Sequence, residues 1–528
     1  MANRYWVGGT NTWDATAGTK WATTSGGAGG ASVPTAADIA LFDAASGAST
    51  VTIDSGTATC LQLNMTGFTG TLAFGTNSIT LPGSGVSIYV GSTTFSVTGT
   101  PVINCTYSGA VGTRTISCAA VTEANAISFN ITAGTDIVDV RGSCKNVNFT
   151  GFSGSLTNGN AKTIYGNLTI STGMSITAGN ATTTFAATSG VQQITSNNKT
   201  LDFPITINAP GATLQLQDNL TAGSTRTFNL TAGTLDLTGN SGNWTSTVGN
   251  WSSVNSNTRA ISFGTGSINV ASSGTTVFSM STATGFTYTG TPNVNFTYAG
   301  STGTRTITFG STGGTQTNAL NFNVTAGSDI VVFSARIKNL NFTGFSGTLG
   351  ASSIVSFGNY TISSGMSTAG GGSTTFSTTS GTQQITTNNV TLNYGLTFDG
   401  VGGTFAFQDA LTQESTRVFT ITNGTVQLKN GVTSTVGSFV ANNSSVKFLQ
   451  STTLGSQATL SQASGTVNVV DLTIRDINAV GGASWNAYTD FENTDAGNND
   501  GWNFSLSPPY STAELPITLR PFTQPRRF

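Results

Sequence analysis

Asn148 to Leu156 reads NFTGFSGSL, and Asn341 to Leu349 reads NFTGFSGTL. The match extends far beyond these nine residues. Thr100-Pro101 returns as Thr291-Pro292, Ile137 as Ile330, Phe185 as Phe376, Asp218 as Asp409 and Arg226 as Arg417, at offsets of 191 to 193. A finer echo runs through FNITAGT from Phe129, FNLTAGT from Phe228, FNVTAGS from Phe322 and FTITNGT from Phe419, spaced 94 to 99 residues apart. A block that can be copied end to end without disturbing its neighbours belongs to a quasi-linear architecture, in which each unit contacts mainly the next.

The local pattern is β. In RTFNLTAGTLDLTGN, Phe228 and Leu230 alternate with polar residues, Ala232-Gly233 turns, and Leu235 and Leu237 resume the alternation. Leu214/Leu216, Leu396/Phe398 and Phe405/Phe407 repeat this period of two, the mark of short strands with one buried face. Helical spacing persists nowhere for three turns. A string of β-sandwiches of roughly 100 residues each would also give such a pattern. However, no Trp lies between Trp21 and Trp244 to anchor sandwich cores, and the abundant Asn, Thr and Ser suit hydrogen-bonded rows along a stack of strands. The expected fold is therefore all-β, a parallel β-helix or solenoid, right-handed, carrying an internal duplication.

Composition agrees. Charged residues are 8% of the 528, against roughly 25% in an ordinary soluble domain, while 37% are apolar and distributed in short runs. A net charge of -2 gives no reason to expect nucleic acid, and no apolar run is long enough to insert in a membrane. The opening MANRYWVGG shows no basic segment and apolar core of the kind that directs export. The expectation is a protein made in the cytoplasm and carried outside by assembly into a particle.

The chain divides into four stretches. Residues 1–48 hold Trp6, Trp13 and Trp21, bulky enough to cap the open core of a solenoid. Residues 49–470 form the shaft, with its duplicated block at about 100–290 and 291–470. Residues 471–506 make a closing unit that includes Trp502 and Phe504. Residues 507–528 are a tail with five of the eleven prolines, which exclude helix interiors and central strands. Its Leu515, Ile517, Leu519, Phe522, Arg526, Arg527 and Phe528 suit an extended peptide that docks on a partner.

Trp-x-Gly-Gly with spaced tryptophans, then Val33 to Gly47 (VPTAADIALFDAASG), resembles the opening of β-solenoid units in autotransporter-type passengers and phage virion proteins. The run from DLTIRD at Asp471 to NNDGWNF at Phe504 is similar to the closing unit of β-solenoid modules in phage structural proteins. The resemblance implies a tail fibre or spike, exposed on the virion and contacting the host surface, and a homo-oligomer of the trimeric kind. Its partners would be other virion proteins through the tail, and a host glycan. A capsid decoration or head fibre and a bacterial adhesin are the alternatives. A polysaccharide-cleaving spike ranks below them.

Chemistry-bearing residues are few. With no histidine, the commonest metal ligand and general base are missing. The carboxylates shared by both copies, Asp136/Asp329 and Asp218/Asp409, are expected to close turns by bonding their own backbone. No catalytic residue and no cofactor is assigned. Asp490, Glu492, Asp495 and Asp500 offer calcium-type oxygens without the spacing of an EF-hand loop. Thr-Arg opens a β run five times, at Arg114, Arg226, Arg259, Arg305 and Arg417, and outward stems bonding neighbouring coils are expected. Cys105, Cys118 and Cys144 correspond to Phe296, Phe309 and Ile337, so these and Cys60 are expected to be buried thiols.

Overall fold

The computed structural model describes residues 1–54, 56–84, 86–90 and 94–507. Over these residues the chain is a parallel β-solenoid of about 19 turns. Each strand pairs with one a coil later. Ile103 lies beside Phe129, Phe129 beside Val147, and Val147 beside Leu168. These steps of 26, 18 and 21 residues show that turns absorb differences in coil length while strand register is kept. Each half-repeat therefore spans several coils, and the sandwich alternative is excluded. The one antiparallel strand pair among the described residues joins Asn3–Trp6 to Trp21–Ala22.

Alternation converts directly into columns. Ile164, Phe185, Ile207 and Leu230 stack inward and are fully buried. Their neighbours Thr163, Thr184, Thr206 and Asn229 stack outward in the same register. That outer column continues through Ser252, Ser279, Thr308, Ser334, Ser353 and Ser373, so one uncharged hydroxyl-and-amide stripe follows the shaft from Thr163 to Ser373. The core has its own ladders. Phe228, Trp251 and Phe278 stack ring on ring, with centroids 5.3 and 6.3 Å apart, and each such contact adds about 0.5–1.5 kcal/mol beyond its area.

Asparagine ladders stiffen the half-buried faces. Asn130 Nδ2 donates to Asn104 Oδ1 at 2.9 Å and Asn148 to Asn130 at 3.4 Å. The second copy repeats the bond of Asn130 to Asn104 as Asn323 to Asn295, and Asn295 in turn donates back to Asn269 at the end of the first copy. The second copy adds a parallel row, Asn321 to Asn293 and Asn339 to Asn321. An amide can donate upward and accept from below in every coil, so each row satisfies itself.

Aromatics close both ends. Trp6, Trp13 and Trp21 are fully buried around Phe42, with Trp6–Trp21 centroids at 5.1 Å and Trp13–Trp21 at 5.2 Å, both edge to face. The indole N–H groups of Trp13 and Trp21 have no acceptor among the described residues, so burial rather than hydrogen bonding holds them. At the far end Trp485 and Trp502 meet edge to face at 5.0 Å, against Phe439.

Candidate functional site

Three of the five Thr-Arg arginines point inward, contrary to expectation: Arg114, Arg259 and Arg305 are each 1% exposed. Arg114 grips Asp136 through two parallel bonds, Nε to Oδ2 at 2.7 Å and Nη2 to Oδ1 at 2.8 Å. Arg305 grips Asp329 with the same two distances. Each pair clamps a strand to the next coil, because Thr113–Cys118 lies beside Ile137–Cys144 and Thr304–Thr312 beside Ile330–Ile337. A guanidinium can be buried here because its charge is paired and most of its donors are used. Asp136 and Asp329 are thus ion-pair partners across coils rather than residues bonding their own turns.

The repeated NFTGFSG motif is the cover of this clamp. Phe152 and Phe345 lie under the guanidinium carbons of Arg114 and Arg305, at 5.3 and 6.0 Å from the ring centroids. Tyr107 and Tyr298 lie close to the same groups. Asn148 and Asn341 accept from the backbone N–H and hydroxyl of Thr150 and Thr343, fixing the turn. Gly154 permits a close approach, since a Cβ there would lie 2.0 Å from Asp136 O.

Asp218 and Asp409 do serve turns, but turns of the preceding coil. Asp218 accepts from the N–H and hydroxyl of Ser196 and the N–H of Asn197. Asp409 does the same for Thr387 and Asn388. Asn197-Asn198 and Asn388-Asn389 all have positive φ, a conformation asparagine tolerates better than most residues. Among the described residues Arg259 has no carboxylate partner, and it donates to Ser253 Oγ at 2.7 Å and to carbonyls of Asn257 and Thr284. Arg226 and Arg417 remain half-buried, bonded to Asp202 and Asn393 respectively.

Two clefts lie outside these structural contacts. The first, about 590 Å³, is bordered by Pro101, Thr122, Glu123, Lys145, Thr188 and Ser189. It lies under a strap, the segment around Glu123–Asn125, whose Glu123 carboxylate accepts from Thr188 N–H and Oγ1 at 2.9 and 2.8 Å, 65 residues along the chain. Lys145 completes the contact at 3.0 Å. Burial pushes the Glu123 carboxyl up, but the bonds from Thr188 and Lys145 prevail and leave it below its ordinary value. In the second copy Gln316 takes the place of Glu123, bonding Thr379 at 3.4 and 3.2 Å.

The second cleft, about 360 Å³, lies where the shaft meets the closing unit, between Asn442, Asn468, Val469, Val470, Tyr488, Phe491 and Ser507. An aromatic pair facing amides is suited to a sugar ring, whose apolar face stacks while its hydroxyls bond. Neither cleft gathers paired carboxylates among the described residues. Among the described residues the first holds Glu123 alone, already engaged, and the second is bordered by none.

The four calcium-type residues have separate partners. Asp490 accepts from Ser507, Asp495 from Gly497 and Asn499, and Asp500 from Gln457. Glu492 is a hydrogen-bond partner of Asp471, and that bond together with the carboxylate charge raises its carboxyl. Among the described residues no three His, Cys, Asp or Glu side chains are grouped to hold a metal ion. The docking residues Leu515, Ile517, Leu519, Phe522, Arg526, Arg527 and Phe528 lie outside the described residues. Among those described, no helix is long and apolar enough to cross a membrane.

Fold and site together define a parallel β-solenoid protein whose buried charges tie coil to coil. In comparison with known proteins, the chain matches no family model, no curated protein and no solved structure.

Proposed function

We propose that the protein is the non-catalytic shaft of a phage-like virion, a tail fibre or spike that projects from the particle and contacts the host surface. The supporting observation is the continuity of parallel register between two aromatic ends. From Trp6 to Trp502 the coils stack on one another, ionic clamps tie neighbours, and the long outer column is uncharged. Such a stack resists bending because every coil is bonded to the next along its strands. The Tyr488–Phe491 cleft is the surface at which a host glycan would bind, and the tail after Ser507 is the segment that anchors the shaft to other virion proteins or to further copies of the chain.

Co-sedimentation tests this reading. The full-length chain and a version ending at Ser507 are mixed with particles that lack the protein. Pelleting of the full-length chain alone is expected. Equal pelleting of both would move anchoring to the shaft or its amino end, and binding by neither would remove the virion reading and favour an adhesin.

A further inference from the structure

We propose that the outer sheet face around Phe448 is a saccharide-binding platform, on which a pyranose ring of a host glycan stacks while flanking side chains bond its hydroxyls. The inference deepens the reading of a host-contacting shaft and rests on it. Phe448 lies on Lys447–Ser451, between Val418–Leu428 of the preceding coil and Leu472–Arg475 of the following one. Its strand neighbours Lys447 and Leu449 are buried, and its own side chain faces outward, 38% exposed. In register it has Thr425 on one side and Thr473 on the other. Two residues along, and so on the same face, Gln450 lies beside Arg475. Among the described residues no hydrogen bond or ion pair engages the Gln450 amide or the Arg475 guanidinium, and no aromatic ring packs on Phe448.

The first copy shows that the fold does not require this aromatic. There Ala260 takes the same register, between Thr234 and Thr287, and Arg259 before it is buried as Lys447 is. Ser262 and Thr289 stand where the second copy has Gln450 and Arg475. The flanking threonines are kept, while three small outward residues of one copy are an aromatic, an amide and a guanidinium in the other. A phenyl face with hydrogen-bond donors at its edge is complementary to a sugar ring, which is apolar on its face and hydroxylated at its rim. The extent of the patch points the same way. Three strands about 4.8 Å apart, over five residues that rise about 3.3 Å each, span roughly 10 by 13 Å. That area suits a short stretch of glycan and falls far below the roughly 800 Å² per partner of a stable protein interface.

The test applies the full chain and its variants Phe448→Ala, Arg475→Gln and Phe491→Ala to a printed array of bacterial surface saccharides, and titrates each chain with every saccharide the parent binds. Phe448→Ala introduces the residue the first copy holds in this register and is chosen to keep the fold, which an unchanged thermal midpoint checks. At least one saccharide is expected to bind about tenfold more weakly to Phe448→Ala, the loss of one ring contact. The same saccharide should weaken in Arg475→Gln and keep its affinity for Phe491→Ala, whose substitution lies in the separate cleft. If Phe448→Ala binds everything the parent binds and only Phe491→Ala loses affinity, the glycan belongs to the cleft alone and the platform is overturned, with the host-contact reading intact. A parent chain that binds no saccharide would remove the glycan from both surfaces. Should Phe448→Ala lower the thermal midpoint, Arg475→Gln decides by itself, and undiminished binding in that variant would count equally against the platform.

Discussion

Lys162 is a residue at which the two copies differ in chemistry. Its Nζ is buried against Asn158 Oδ1 at 2.8 Å and lies 5.4 Å from the Phe203 ring centroid, while the second copy has Ile354 in the same register, beside Thr374 instead of Thr183. The second copy places its interior polarity elsewhere, in Tyr360 and Tyr394, whose hydroxyls meet at 2.9 Å. Burial pushes the Lys162 amine down from 10.5 to about 8. The folded state thus holds this proton less tightly than the unfolded chain. The cost is complete below pH about 8 and disappears as pH rises from there to 10.5, so stability should climb across that window. Lys162→Ile is expected to raise stability at neutral pH and flatten the climb, measured by urea unfolding at several pH values. An unchanged slope would place the titration elsewhere. The ionic clamps behave in the opposite way. Asp136→Asn leaves Arg114 buried beside a neutral partner and should cost about 3–5 kcal/mol, whereas replacing Arg305 and Asp329 together with Met and Leu should be neutral or stabilising. A double replacement as costly as Asp136→Asn would show that the charges themselves, and not their pairing, support the coil.

At the scale of elements, the strap over the first cleft depends on one carboxylate. Because the Glu123 carboxyl is held below its ordinary 4.5, its contribution is present above that value and is lost as pH falls through the lowered one. Acidification should therefore speed hydrogen exchange around Glu123–Asn125 while leaving residues 313–319, held by neutral Gln316, unchanged. Equal acceleration in both straps would show that general acid loosening, and not Glu123, controls them. This element also marks where sequence reading ended. Alternation, asparagine rows and the equivalence of Cys144 with Ile337 were all legible, because each depends on a period of two or on an offset visible in the chain. The clamp was not, since Arg114 and Asp136 lie 22 residues apart in coils of unequal length, and an arginine after threonine looks the same whether its strand faces water or core. The strap was hidden further still, its contacts spanning 65 and 63 residues. The clamp had a readable signal, however. Arg114/Asp136 and Arg305/Asp329 were kept as pairs through the duplication while Asp202, the partner of Arg226, became Asn393 in the second copy.

For the whole molecule, the decisive property is how far a local defect travels. In a globular core, removing one buried charge weakens everything that shares the core. In this shaft the interior is continuous, but the contacts that hold it run from each coil to the next, as in the steps from Phe129 to Val147 and from Val147 to Leu168, so stability is close to a sum of neighbour terms. The two copies give an internal control, because each carries the same clamp under the same motif. In Asp136→Asn, hydrogen exchange should speed in Thr113–Cys118 and Ile137–Cys144 and in the coils beside them, and stay as in the parent protein in Thr304–Thr312 and Ile330–Ile337. Mass-resolved exchange on peptides from the two copies reads both regions in one sample. If the second copy loosens as much as the first, the stack unfolds as one cooperative body, and the shaft resists force by coupling along its length rather than by the independent strength of each coil.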